Sequence, residues 1–505
     1  MNGERQIMFS ALVFLPVCFM LFMNGFCLAQ AAETIPQPVA HQSGILRRLM
    51  NDPLSAQPAS LPDGFTLPGD AVPVLCPPQI DMGRALSLAD AVDLALCSNP
   101  QLRDTWAQIK VQVAQVGQAR SAYLPTMSAQ ISELNNRTVY PGFASANNTT
   151  QGHMTYASLN WLLLDFGGRA ANLDVSNDAL KAAIDDHNAE MQKLLGEVIS
   201  DYFNAIAAQA KVDASIKAKE LAHRIEDSAN RRLQHGTGDR GDLTQAQTAA
   251  AKADLSLARD TGERDKALAE LIYALGLVPG TTIVLPDLLA PDKPRAVAAL
   301  TDWIHFAEHY QPAIRAAQRR WAAAQAKIRS SRSDGLPSLS FVATYDQNGY
   351  PNQGLQPIQN NITTIGLTLN VPIFDGFMQH YKIDEAKAQA DVAQAQMQDA
   401  EHQILKQVVS AYGDAVMAFD AIDASRFLLE SARASMESAQ NRYDHGVGTM
   451  IELLTAQSSL TDARQQWVQS LAQWEASRLE LLTASGILGH AALGRLQDKN
   501  ESPAF

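Results

Sequence analysis

The spacing most suggestive of chemistry is Gly236-Thr-Gly238-Asp-Arg-Gly241, which fits the pattern G-x-G-x-x-G. In a dinucleotide site such glycines let the backbone approach a pyrophosphate, but only where a strand precedes the pattern and a helix follows it. Here a long helical run precedes it, and a second copy of the stretch carries Ile451 where the third glycine should stand. Nucleotide binding is therefore not expected. His305 and His309 lie four apart on a predicted helix and could both reach a metal. No third ligand accompanies them, so a surface pair is the expectation. The patterns H-E-x-x-H, G-x-x-x-x-G-K-[ST] and G-x-S-x-G do not occur. The reading is of a protein that is not an enzyme, with no catalytic residue, cofactor or metal.

Charge and cysteine usage bound the compartment and the partners. The formal net charge is −13, and no run rich in Lys and Arg occurs, which argues against nucleic acid. Residues 1–31 read as a secretory signal peptide: Arg5, an apolar run from Ile7 to Met23, and the small-x-small site Ala29-Gln30-Ala31. An uncleaved membrane anchor is the competing reading, because the run approaches the lower length limit for a span. Pro16 within the run and the Ala-x-Ala after it favour cleavage. Cleavage would leave Cys76 and Cys97, 21 positions apart, which in an exported chain are expected to form a disulfide. Two inert thiols are the alternative.

The elements that must position these residues follow in order. Residues 32–84 hold nine of the 23 prolines and read as an extended leader. Ser87 is an N-cap candidate for a short helix, and Asn99-Pro100 opens a second one that stops before Pro125. Pro312 and Pro337 repeat the 25-residue interval of Pro100 and Pro125. After each pair the period changes from helical to alternating. Thr155, Ala157, Leu159, Trp161 and Leu163 share one face, as do Ile365, Leu367, Leu369 and Val371. Segments of about ten residues with one apolar side suit the strands of a membrane barrel, although half-buried sandwich strands share that period. The first strand, near Met127 to Glu133, is the weakest. Polar loops are expected at Asn135–Gly152 and Gln347–Asn361.

Long helical hairpins follow each pair of strands. Arg232-Leu-Gln-His235-Gly236-Thr-Gly238 recurs as Arg442-Tyr-Asp-His445-Gly446-Val-Gly448, 210 positions later, and each copy punctuates a long stretch without proline. Apolar positions at a spacing of three and four, amid Ala, Gln and Lys, predict exposed coiled helices rather than membrane spans. The repeats occupy 85–280 (β-hairpin about 125–165, helical hairpin 168–276) and 301–490 (β-hairpin about 337–374, helical hairpin 376–486). A connector at 281–300 and a tail at 491–505 complete the division. Two β-hairpins give only four strands, which cannot close a barrel, and open edges are not tolerated in lipid. If these are membrane strands, several chains must share one barrel.

The Leu88-x-x-Ala-Val92-x-x-Ala-Leu96-x-x-Asn99-Pro100 opening, Tyr123-Leu-Pro125, the turn Leu164-Asp-Phe-Gly-Gly168-Arg and the two tips resemble the TolC-like outer-membrane factor family over about residues 87–488. The resemblance implies an α+β membrane protein: a homotrimer in which four strands per chain form a 12-stranded outer-membrane barrel, continued by a periplasmic barrel of long helices. It implies an exit duct in the outer membrane of a Gram-negative cell, conducting drugs or polypeptides. The implied partners are the lipid bilayer, a periplasmic adaptor (membrane fusion protein) and an inner-membrane pump of ABC, RND or MFS type.

By the same resemblance Asp242 and Tyr443 link neighbouring hairpins at a periplasmic gate; Asp239, Arg240 and Glu452, where the two tips differ, are further gate candidates. His235, Gly236, Gly238, His445, Gly446 and Gly448 mark the tips where the adaptor docks. Gly448 stands where well-studied members have an arginine, and Glu452 and Thr455 where they have two aspartates. That puts the same closure network in doubt; a ring of Glu452 carboxylates could bind or select cations, and the alternative is that Glu452 only solvates the helix surface. A soluble periplasmic coiled-coil adaptor or scaffold is the competing reading; it would share the hairpins but lack strands facing lipid.

Overall fold

The computed structural model of the chain describes residues 52–57, 76, 83–142, 147–286, 297–348 and 360–489. The signal-peptide reading, most of the leader, the middle of the connector and the C-terminal tail lie outside the described residues.

From Leu54 onward the chain forms one compact unit. Helix α1 spans Leu88–Ser98, and the Ser87 hydroxyl accepts from the Asp90 amide at its start. Helix α2, Pro100–Ser121, opens with Pro in its first turn, where a missing N–H costs nothing, and Asn99 caps it. Strands β1 (Thr126–Thr138) and β2 (Asn148–Leu164) follow, then helices α3 (Gly168–Gln234) and α4 (Arg240–Ala274). The second copy repeats this order: α5 (Leu300–Tyr310), α6 (Pro312–Ser333), β3 (Ser338–Asn348), β4 (Asn360–Asn370), α7 (Met378–Asp444) and α8 (Met450–Ala484). At 67 residues each, α3 and α7 extend about 100 Å. Among the described residues no helix is long and apolar enough to cross a membrane.

The four strands form one antiparallel sheet in the order β1-β2-β3-β4, with β1 and β4 at its edges. The β1–β2 ladder continues to the pair Thr138↔Asn148, well inside the polar stretch expected to be loop. The alternation test sees only apolar side chains, whereas a ladder is held by backbone bonds that Asn, Arg and Thr make equally well. The strand-to-helix corners are alike in the two copies. The Asp165 carboxylate accepts from the Arg169 amide at 2.6 Å, and that of Asp375 from the Gln379 amide at 2.7 Å.

The interior is thin and rich in alanine. Its largest cluster sets Val92 and Leu96 of α1 against Leu194, Leu195, Val198 and Ile199 of α3, and the Tyr202 hydroxyl donates to the Leu86 carbonyl at 2.8 Å. A disulfide joins Cys76 to Cys97 of α1, with the Cα atoms 5.6 Å apart. Arg315, Arg320 and Arg329 on α6 pair with Asp185, Asp186 and Asp174 on α3, fastening the second copy to the first. A second apolar cluster, with Ile225, Met436, Met450 and Leu453, lies toward the helix tips.

Candidate gate and docking surface at the helix tips

The two tips turn in the same way. His235 caps α3 and His445 caps α7; each is followed by a left-handed glycine, Gly236 at φ +72° and Gly446 at φ +75°. The Gly238 amide donates to the Arg232 carbonyl at 3.1 Å, and the Gly448 amide to that of Arg442 at 3.0 Å, which closes the end of each helix. A Cβ on Gly448 would fall 2.9 Å from the Tyr443 nitrogen and 3.0 Å from the Arg442 Cβ. Any side chain there, arginine included, would require the last turn of α7 to move, which accounts for glycine at this position.

Beyond the turn the tips differ. Thr449 caps α8: its hydroxyl accepts from the Glu452 amide at 3.2 Å, while the Glu452 carboxylate accepts from the Thr449 amide at 3.5 Å. Glu452 also faces Arg442 at 3.6 Å. Asp239, in the equivalent place before α4, makes no capping bond with its side chain.

One side chain joins the two tips. The Arg232 guanidinium lies over the Tyr443 ring, 4.3 Å from its centroid, and Nη2 donates to the carbonyls of Tyr443 at 3.0 Å and Asp444 at 3.3 Å. A cation is favoured at this C-terminal helix end, where carbonyls lack partners, and again over the face of an aromatic ring. Tyr443 is only 3% exposed. Burial pushes its phenol above the usual tyrosine value; Arg232 opposes that shift and the charge of Asp242, in the first turn of α4, adds to it.

Of the residues singled out in the sequence, Tyr443 packs under Arg232, and Asp242 of the same chain is near enough for its charge to act on the phenol. Glu452 stands apart with Arg442. Asp239 and Arg240 are exposed and form no ion pair among the described residues. His235, Gly236, His445 and Gly446 lie on the surface beside Val447 and Ile451, 71% and 63% exposed. Sequence reasoning passed over Arg232 and Arg442. The available signal was that arginine opens both copies of the tip motif, in the last turn where a cation suits the helix end.

His305 and His309 stack with ring centroids 4.3 Å apart, and the His309 Nδ1 lies 3.0 Å from the His305 carbonyl oxygen. Among the described residues no group of three or more His, Cys, Asp or Glu is placed to hold a metal ion.

The model of the outer membrane efflux protein family matches residues 91–277 and 303–487, so it takes in both copies of the repeat. The chain belongs to the outer membrane efflux protein family. Protein CyaE of Bordetella pertussis is 34% identical over 439 residues, covering 85% of this chain and 92% of that protein. Outer membrane protein TolC of Escherichia coli K12 is 24% identical, with 84% and 86% covered. The solved structure of the outer membrane protein VceC from Vibrio cholerae is similar in fold, with a TM-score of 0.69 at 18% identity over 79% of this chain and 96% of that one. As a member of this family the chain is an outer-membrane channel of efflux and secretion, located in the outer membrane of a Gram-negative cell. The family is one of channels rather than enzymes.

Proposed function

We propose that three copies of the chain build one continuous duct, closed in its resting state at the helical tips. The sheet carries this reading. Among the described residues the outer edges of β1 and β4 have no partner strand, and one face of the sheet exposes apolar side chains: Met127 and Ile131 on β1 are 80% and 78% exposed, Ile365 and Leu367 on β4 are 69% and 65% exposed. Pairing β1 of one copy with β4 of the next satisfies the edges and gives a barrel of 12 strands with an apolar belt. The soluble-adaptor alternative leaves this belt in water and the edges unpaired.

In this reading the helices continue the barrel into the periplasm. The tips meet an adaptor of the membrane fusion type, which couples the duct to an inner-membrane pump of ABC, RND or MFS type. The exposed surface of His235, Gly236, His445 and Gly446, with Val447 and Ile451, is the face offered to the adaptor. Gating rests on the joint of Arg232, Tyr443 and Asp242. Asp239 and Arg240 border that joint, and Glu452 serves chiefly to cap α8.

The test is the mass of the detergent-purified protein together with its conductance in a planar bilayer. Three chains per particle and rare, brief openings support the reading. A single chain per particle that forms no channels overturns it.

A further inference from the structure

Duplication makes α2 equivalent to α6 and α3 equivalent to α7, but the equivalent faces are not equally covered. Helix α6 lies between α3 and α7, so Ala316, Ala326, Ser330 and Ser333 are buried. Their counterparts on α2, Asp104, Ala114, Gln118 and Ser121, are exposed. The same holds for the long helices. Ala171 and Ala182 on α3 are 5% and 3% exposed, whereas Tyr381 and Val392 in the same places on α7 are 70% and 56% exposed. In a closed ring of chains, α7 of the neighbouring chain covers the bare side of α2 as α3 covers α6.

That seam cannot be held as the internal one is. Inside the chain Arg315, Arg320 and Arg329 of α6 meet Asp185, Asp186 and Asp174 of α3. Their places at the seam hold Arg103, Gln108 and Gly117 on α2, and Ala395, Gln396 and Asp384 on α7. Asp384 is the one carboxylate kept, and it pairs with Lys387 at 2.8 Å and His380 at 3.3 Å on its own helix.

A short stretch of chain lies where Arg329 would stand. Arg120 Nη1 donates to the Leu54 carbonyl at 2.8 Å and also to that of Ser55. Ala56 is buried against Ile109 and Val116 of α2 and Leu180 of α3. A Cβ on Gly117 would lie 3.6 Å from that of Ala56, so a side chain as long as arginine would run into the stretch. Ser55 sits at φ +50°, a left-handed conformation that a residue other than glycine keeps only where its contacts hold it. Volumes across the seam are complementary: Tyr381 replaces Ala171 on one side, and Gly117 replaces Arg329 on the other. We propose that Leu54–Gln57 is a clasp between chains. Laid over Gly117, it packs against α7 of the neighbouring chain at Tyr381 and Asp384, in the place that the Arg329–Asp174 pair takes inside each chain. This rests on the three-chain reading of the duct.

The experiment uses the full-length protein in detergent with Gln57→Cys and Glu385→Cys introduced together. Both side chains are exposed, so neither change disturbs the packing of the chain. A short bis-maleimide links free thiols within reach, and the chains are sized after denaturation. Native mass and bilayer conductance are measured on the same preparation. The expected result is a ladder of linked chains reaching three, absent when either cysteine is present alone. Three chains per particle that conduct but give no ladder, or that link only within a chain, overturn the clasp and leave the duct standing. Single chains without conductance overturn the duct and the clasp with it. A second measurement asks whether the stretch bears load. Arg120→Gln should lower the temperature at which the particle separates into chains by about 3 °C or more. Arg329→Gln, whose pair lies inside one chain, should leave that temperature unchanged. Equal behaviour of the two variants overturns the clasp.

Discussion

The Arg232 guanidinium stacks on the Tyr443 ring and donates to the same residue's carbonyl, so the first tip holds the last turn of the helix that forms the second. Its counterpart Arg442 does nothing of the kind and pairs with Glu452 on its own tip. Duplication supplied two equivalent arginines, and only one crosses between hairpins.

Replacing Arg232 by Ala removes the ring contact and two charge-assisted hydrogen bonds, together about 1–2 kcal/mol. If the joint holds the duct shut, the open fraction in a planar bilayer rises by about tenfold. Arg442→Ala should leave it nearly unchanged. Equal effects of the two changes would remove the special role of Arg232.

Gly448→Arg restores the residue type of the family resemblance but not its place. The Cβ lies too close to Tyr443 and Arg442 for the present turn. The expected result is a channel that is less tightly closed than the wild type, read as more frequent openings. Tighter closure would show that the turn can yield.

The pH dependence of stability should carry a signature of Asp201 on α3. Burial, with Glu270 and Glu197 nearby, raises its pKa to about 6. The folded protein therefore holds this proton more firmly than the unfolded chain, and stability falls as pH rises from about 4 to 6, the cost being fully present above that range. Asp201→Asn should raise Tm at pH 8 by about 2 °C, with little effect at pH 4. Thermal melts at both pH values decide it.

Buried and exposed ion pairs should separate clearly. Asp260 is 2% exposed, 3.1 Å from Lys211 and bonded to the Ser215 hydroxyl. Asp260→Ala should cost about 2 kcal/mol, since it leaves the buried Ser215 hydroxyl without its acceptor and takes from the Lys211 ammonium one of its two carboxylates, the other being Glu263. Arg329→Ala breaks a pair with both side chains more than half exposed, and should cost no more than about 0.5 kcal/mol. Denaturant melts of the two variants test the difference.

Reduction of the Cys76–Cys97 bond frees a loop whose closure contributes about 3 kcal/mol in the chain-entropy model. A drop in Tm with a reductant, matched by Cys97→Ser and not deepened by the reductant in that variant, is the expected outcome.

The architecture was largely legible because it is repetitive. Paired prolines, the change of period after them and the two tips are local signals, and duplication let each confirm the other. Strand ends were less legible: Asn135 to Thr138 and Asn148 to Gly152 continue the ladder through polar residues that carry no alternation. At the tips the sequence marked the turns but not the partners across them. Asp242 and Tyr443 were singled out by the family resemblance and not by their spacing. Which of the two equivalent arginines would cross to the other hairpin depends on how the hairpins lie side by side, and nothing in the spacing of one helix encodes that.

The open edges of the four-stranded sheet also constrain the birth of the channel. A lone copy that entered the hydrocarbon layer would expose two rows of unbonded amides and carbonyls there, and a copy waiting in water presents a sticky apolar ribbon. Neither state is comfortable, so in the proposed three-chain duct insertion and association proceed together. The yield of finished channels should then depend steeply on how fast new chains reach the membrane, and an escort that shields the sheet during transit would act as a brake on premature fibres.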